Sequence, residues 1–428
     1  MTVAILFISL IVFLLIGVPI AIALGASALL TIYFTTTLPL TIMTQKAFTS
    51  LDSFPLLAIP FFMLAGILMG KGGVSKRLLN LATILVGWMI GGLALVTVVS
   101  CMFFAAISGS GPATVAAIGS FMIPSMREKN YGEGFSAAVA AASGSIGVII
   151  PPSIPFVLYG VIGGVSVGSM FLAGILPGII LGAGLMIVSF LISKKRDYKP
   201  EKRINYSTKE LLKALYDAKW ALLIPVIILG GIYGGIFSPT EAAVVAVVYA
   251  IIIGVFVHKE LSMKDLYDSF REAVVINATT MIIIGLSISF AYIMTLEQIP
   301  ASIADFITNL STNPFVILLV INLLLLIVGM FIDTISALVV LTPILLPIVT
   351  AVGVDPIHFG VILVANLAIG FITPPLGVNL FVASSVSGVK IEKISMAILP
   401  FLLSMIISLL VITYVPALSI WLPEFFQK

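Results

Sequence analysis

The sequence predicts an all-α polytopic membrane protein, with about 10 to 12 crossings if each takes about 20 residues. Three observations carry that expectation: the scarcity of charge, a series of long apolar segments interrupted by Gly and Pro, and a duplication that superposes the interruptions. Of 428 residues, 61% are hydrophobic and only 9% charged, and the mean hydropathy is +1.27. Soluble domains carry about a quarter of their residues as charges, so the bilayer is the natural solvent for this chain.

The formal charge is +3, and nine of the 21 Lys and Arg fall between Lys194 and Lys219. A basic loop next to apolar segments favours anionic headgroups and the cytoplasmic side, and is a weak sign of nucleic-acid binding. No nucleic-acid partner is expected; membrane lipids are. The one cysteine, Cys101, lies in an apolar run, and the two histidines, His258 and His358, are far apart. These exclude an internal disulfide and offer no Cys/His metal spacing. Cys101 reads as a small buried hydrophobe.

Residues 3–33 hold no charge, and the first basic residue is Lys46. A signal peptide needs Lys or Arg before a short apolar core, so 3–33 is expected to stay as a membrane segment. Thirteen apolar segments follow one another from 3–33 to 395–421. Between them, Ser207–Ala218 and Leu261–Ala273 mix leucines with Lys, Asp and Glu at helical spacing. They fit helices lying on the membrane surface, or ordinary amphipathic linkers.

A shift of 223 residues superposes Pro124 on Pro347, Ala142 on Ala365, Gly147 on Gly370, Ile149 on Ile372 and Pro151-Pro152 on Pro374-Pro375. In each half a polar break comes first, Ser108-Gly109-Ser110-Gly111-Pro112 or Asp333-Thr334-Ile335-Ser336. An apolar piece ending in proline follows, then a helix interrupted at Pro-Pro. The shift alone does not distinguish parallel from inverted repeats. The expected division is a first repeat over 1–193, a basic linker over 194–219 and a second repeat over 220–428.

Irregular backbone survives in hydrocarbon only where protein or a wet cavity surrounds it. Four such points, 108–112, 150–155, 333–336 and 373–379, lie inside apolar sequence. Matched interrupted segments in two halves point to a secondary transporter's binding site, where half-helix N-termini face anions and unwound carbonyls hold a cation. A lone break of this kind can also be a packing kink, a reading that four matched breaks weaken.

Asp333 is the only acidic residue between Phe315 and Val354. Its carboxylate suits a bound cation, or an N-cap of the helix that follows, or both. Glu241, in Ser238-Pro239-Thr240-Glu241, reads as half of a capping box. Ser108, Ser110, Thr114, Ser145 and Ser153 supply neutral oxygens in one half, and Asn366, Thr373 and Asn379 in the other. Each alone suits a helix–helix hydrogen bond; together they form two polar clusters. No phosphate-cradling Gly-Lys-Ser/Thr run is present, and no basic residue falls inside the repeat cores. An anionic substrate would therefore rest on helix ends and hydroxyls.

The motifs Ser108-Gly109-Ser110-Gly111-Pro112-Ala113-Thr114, Ile149-Ile150-Pro151-Pro152-Ser153, Ala173-Gly174-Ile175-Leu176-Pro177-Gly178, Thr342-Pro343-Ile344-Leu345-Leu346-Pro347 and Gly370-Phe371-Ile372-Thr373-Pro374-Pro375-Leu376-Gly377-Val378-Asn379 resemble the large membrane subunit of tripartite ATP-independent periplasmic (TRAP) transporters. The likeness covers almost the whole chain and is greatest to the sialic acid and C4-dicarboxylate branch. It implies inverted repeats, an elevator-type carrier with two re-entrant helical hairpins, near 95–126 and 315–350, and broken helices near 135–166 and 357–386. It also implies sodium coupling with no other cofactor, a small four-helix membrane subunit, a periplasmic substrate-binding protein, a small organic anion as substrate, and a bacterial inner-membrane location. On this resemblance the sodium ligands fall among Ser108, Ser110, Gly111, Thr114, Gly147, Pro151, Asp333, Thr334, Ser336, Gly370 and Thr373. Substrate contacts fall among Ser153, Asn366, Pro375 and Asn379.

Two other classes compete. An intramembrane enzyme could be imagined from Ser110 and Asp333, but neither has a His or Lys beside it. A passive channel or anchor would more naturally carry one repeated pore motif than two different broken hairpins. The identity of the substrate is not written in the sequence.

Overall fold

The structure is a computed structural model that describes residues 2–200, 208–299, 301–302 and 313–426. All regular structure among them is helical. Among the described residues, eight helices are long and apolar enough to cross a bilayer unaided, beginning with Phe54–Lys71 and ending with Ile391–Tyr414.

The stretches expected on the membrane surface are not separate helices. They are the opening turns of two long ones, Thr208–Tyr233 and Met263–Leu296, and Ser207 lies outside the described residues. No Gly or Pro occurs between Arg271 and Ile282, and a continuing helix satisfies its own backbone at no cost in hydrocarbon. The opposite happens at the start of the chain. Gly17 adopts φ +83 ahead of Pro19, and the apolar run divides into Thr2–Leu15 and Ile20–Thr35, packed on each other.

Glu241 does what its spacing predicts. Ser238 N donates to Glu241 Oε2 at 2.7 Å and Glu241 N to Ser238 Oγ at 3.3 Å, a capping box worth about 1 kcal/mol by analogy with other caps.

The duplication is visible as two matching sets of helices. A hairpin of Gly92–Ser108 and Gly111–Glu128 leads into a broken helix, Glu133–Gly144 and Ile154–Gly163, and then the long Val167–Lys195. The second set is Pro314–Phe331 with Thr334–Ala351, then Pro356–Gly370 and Val378–Ser387, then Ile391–Tyr414. The 223-residue shift carries Gly111 onto Thr334 and Glu133 onto Pro356, so the helix starts coincide. Both proline pairs, Pro151-Pro152 and Pro374-Pro375, are joined by cis peptides.

Cross-contacts between the sets fix their relative direction. Where the first broken helix begins, Glu133 pairs with Lys393 at 2.8 Å, and the nearby Arg127 donates to Ser387 O at 2.8 Å, where the second ends. Where the first ends, Tyr159 Oη donates to Pro356 O at 2.6 Å, the start of the second. The two broken helices therefore run antiparallel, and the hairpins enter from opposite faces. The repeats are inverted.

The same tracing sorts the charges. Lys71, Lys76 and Arg77 lie on one face with the Lys194–Lys199 segment and not opposite it. Arg77 pairs with Glu260 at 2.8 Å, His258 Nδ1 donates to Gly72 O at 2.8 Å, and one surface cavity is lined by Lys76 and Arg77 together with Tyr216 and Lys219. Apart from Lys46, every described Lys and Arg lies in the loops of this basic face or in the parts of the helices nearest it. Asp52, Glu241, Glu297 and Asp355 lie at the other face. Positive charge marks the cytoplasmic side of such proteins. Cys101 is fully buried, which leaves a quiet background for labelling. In intact cells a membrane-impermeant maleimide should label Asp52→Cys and spare Lys393→Cys, and inside-out vesicles should reverse the pattern. Labelling of Lys393→Cys in intact cells would contradict the orientation.

Candidate functional site

The first hairpin turns at Gly109, which takes φ +60, a left-handed conformation that glycine adopts without strain. Ser110 then caps the returning arm, its side chain accepting from Ala113 N. Three donors converge on Ser110 O: Thr114 N at 3.1 Å, Thr114 Oγ1 at 2.8 Å and Ser108 Oγ at 3.4 Å. Ser108 Oγ and Thr114 Oγ1 are themselves 2.8 Å apart. This knot of oxygens sits against the first break. A Cβ on Gly147 would lie 2.6 Å from both Ser110 O and Thr114 Oγ1. Ile154 N, just past Pro151-Pro152, donates to Gly109 O at 3.4 Å.

The second hairpin turns at Ile332 and Asp333. Asp333 is an N-cap: its carboxylate accepts from Ser336 N at 3.0 Å and from Ser336 Oγ at 2.6 Å. At the second break Thr373 Oγ1 donates to Ile369 O at 2.8 Å, and Asn379 N to Phe371 O at 3.0 Å. Gly370 packs on Gly329 so closely that a Cβ would be 2.4 Å from Gly329 O.

The two clusters meet. A Cβ on Gly111, at the first tip, would touch the Phe371 ring of the second break at 2.9 Å. The Asn379 amide nitrogen donates to Ala141 O and to Ser145 Oγ, both at 3.1 Å, in the first broken helix. Two buried oxygens at these tips and breaks, Thr334 Oγ1 and Asn379 Oδ1, have no protein hydrogen-bond partner. Buried neutral oxygens without donors are the chemistry a sodium ion satisfies.

A cavity of about 680 Å³ leads away from the first tip. Ser108, Ser110 and Pro112 form its inner end, and Lys71 and Glu272, at the basic face, its mouth. Phe104, Phe121 and Val382 give it apolar walls.

Residues 7–418 match the family described as "Tripartite ATP-independent periplasmic transporter, DctM component". This chain belongs to the DctM family. It is 55% identical over 96% of its length to an isethionate TRAP transporter permease protein, DctMQ, of Oleidesulfovibrio alaskensis, and spans 64% of that protein. It is 42% identical to a C4-dicarboxylate TRAP transporter large permease protein, DctM, of Pseudomonas aeruginosa, over 94% of each chain. A sialic acid TRAP transporter large permease protein, SiaM, of Vibrio cholerae is 39% identical over 96% of each. These relatives are named as permeases and not as enzymes. Among solved structures, the YdaH transporter of Alcanivorax borkumensis shares the fold, with TM-score 0.61 at 13% identity, covering 89% of this chain and 88% of that one. The chain is thus the large, multi-pass permease subunit of a TRAP transporter.

The structure gathers Ser108, Ser110, Gly111, Thr114, Gly147 and Pro151 at the first tip and break, and Asp333, Thr334, Ser336, Gly370 and Thr373 at the second. The residues expected to touch substrate are placed differently. Ser153, Asn366 and Asn379 are fully buried, Pro375 is exposed, and none of the four lines the cavity. Each buried one has a structural task. Ser153 Oγ accepts from Phe156 N and donates to Val148 O, capping the helix after the break. Asn379 pins one break to the other.

Asn366 belongs to a polar ladder. Its amide nitrogen donates to Asn322 Oδ1 at 2.7 Å, Asn322 donates to Thr413 Oγ1 at 3.0 Å, and His358 Nε2 lies 3.1 Å from Thr413 O. Asn322 was invisible as a partner, because nothing in one sequence pairs it with a residue 44 positions away. Lys71, Ser75 and Glu272, which line the cavity, were missed for a similar reason, since each reads as an ordinary helix-end polar residue.

Gly147→Ala should force a methyl into the Ser110 and Thr114 oxygens and destabilise the protein by about 1–3 kcal/mol, as overpacking does. Heating purified protein and measuring the fraction still monodisperse checks this. Gly353→Ser, at a turn where a Cβ meets nothing within 4 Å, tests instead the smaller cost of left-handed backbone.

Proposed function

We propose that this permease is the carrier of a sodium-coupled transporter that imports small organic anions across the bacterial inner membrane, working with a small four-helix membrane subunit and a periplasmic substrate-binding protein. The observation that carries this reading is the meeting of two inverted hairpin tips with two broken helices, with unpartnered buried oxygens at the junction and a cavity from it to the basic face.

Sodium fits the donor set. Asp333, Thr334 and Ser336 at one tip, and Ser108, Ser110 and Thr114 at the other, offer one carboxylate, hydroxyls and carbonyls, the hard ligands such a cation prefers. Asp333 can cap its helix and face a cation at once, since its two oxygens each retain lone pairs. Helix starts at Gly111 and Thr334 direct N–H groups to the junction, which favours an anion there without any basic side chain.

The substrate class follows from these donors and from the relatives' names. C4-dicarboxylates and sialic acid are carboxylates and isethionate is a sulfonate, so the shared chemistry is a small oxyanion with hydroxyl or second anionic groups. The expectation of a carboxylate widens accordingly.

An elevator movement fits the packing. The hairpins and broken helices form one body through the cross-contacts at Glu133, Tyr159 and Asn379. Phe54–Lys71 and Pro239–Ile252 pack on each other as part of a second. The cavity lies between hairpin and second body, facing the cytoplasm when the basic face does.

In proteoliposomes holding the permease with both companions, uptake should fall to background when external sodium is replaced by choline. Uptake that persists in choline would remove the coupling. Asp333→Asn should raise the half-saturating sodium concentration about tenfold, the size of weakening one charged ligand by about 1.4 kcal/mol. An unchanged sodium dependence would assign Asp333 to capping alone.

A further inference from the structure

We infer that Lys71, Ser75 and Glu272 form a second anion-binding station at the cytoplasmic mouth of the cavity, through which the substrate anion passes on release. The inference rests on the transport reading and goes beyond it by naming an exit site outside the repeats.

Among the described residues Lys71 is the only basic one lining the cavity, and apart from Glu272 the remaining walls are apolar or hydroxyl-bearing. Its ammonium lies 2.9 Å from Glu272 Oε2, with the side chains 37% and 48% exposed. Ser75 also lines the cavity. It is only 2% exposed, and its Oγ is buried without a hydrogen-bond partner. A buried hydroxyl left unpaired carries a cost that a ligand oxygen would remove. An ammonium and a free hydroxyl donor at one cavity mouth suit a carboxylate or sulfonate.

Glu272 is the internal counterpart of that ligand. It is a carboxylate already bound to Lys71, so an arriving substrate anion exchanges one charge-assisted contact for another. A half-exposed ion pair contributes little net stability, which makes the exchange nearly even in energy. Such a station gives the anion somewhere to go when it leaves the hairpin tip, then returns Lys71 to Glu272 once the anion departs.

The neighbouring carboxylates are occupied elsewhere. Glu260 is held by Arg77 at 2.8 Å, and Asp265 by Ser262 N at 3.0 Å and Ser262 Oγ. Glu272 alone among them faces Lys71 in a hydrogen bond.

The test is counterflow in proteoliposomes with both companions, using whichever of succinate, N-acetylneuraminate or isethionate the wild-type complex takes up. Lys71→Gln should raise the half-saturating internal concentration about tenfold, the loss of one charged hydrogen bond. External half-saturation and sodium dependence should not change. Lys71→Arg should restore the wild-type value, and Glu272→Gln should lower it by freeing the ammonium. An internal half-saturation unmoved by Lys71→Gln overturns the station. So does an equal change on both sides, which would mean general damage. If the wild type carries none of the three anions from either side, the transport reading fails first.

Discussion

Backbone at membrane depth has to find its hydrogen-bond partners within the protein, and that single requirement ties the two kinds of irregular segment together. The chain leaves helical geometry at a tip and at a proline pair in each half. Gly109 O at a tip accepts from Ile154 N beyond a break, and Asn379 N beyond the other break returns to Phe371 O. The first tip and the first break complete each other, and the second break closes on itself through Asn379. The glycines follow from the same requirement: Gly147 and Gly370 sit where the partner backbone comes so close that no side chain fits.

The two halves meet this demand with different chemistry. The first tip is neutral, with Ser108, Ser110 and Thr114 bonded among themselves, and its proline pair is buried. The second carries a carboxylate, Asp333, held by Ser336, and its Pro375 and Leu376 are exposed. Duplication supplied the shape, and divergence at a few positions made one end hydroxyl-lined and the other acidic. A site between them presents unlike faces to whatever it holds.

Much of this was legible in the residues. Low charge gave the membrane, and Pro124, Pro347 and the proline pairs gave the duplication, since proline and glycine leave a mark that does not depend on packing. The capping role of Glu241 was legible because a capping box is local. Direction of the repeats was not, because it depends on contacts such as Tyr159 with Pro356, nearly 200 residues apart. Surface helices were wrongly separated from the long helices they begin, since an amphipathic start and an apolar continuation look like two elements until the unbroken backbone is seen. Asn366 and Asn379 drew attention as polar residues near a break, and burial shows their side chains joining helices. Hydroxyls and amides mark a place in the fold from sequence alone, but which way they face is a tertiary property.

The ladder from Asn366 through Asn322 to Thr413 has a mechanical consequence. It rivets Pro356–Gly370, Pro314–Phe331 and Ile391–Tyr414 across their buried surfaces, and His358 adds a further link near its outer end. Sliding any one of these helices past the others would strand amides in a medium with no water to receive them, at about 1–3 kcal/mol for each. Greasy contacts carry no such toll, because one methyl serves as well as the next. The ladder thereby binds these three helices into a single block and leaves slippage to seams where only hydrocarbon touches hydrocarbon.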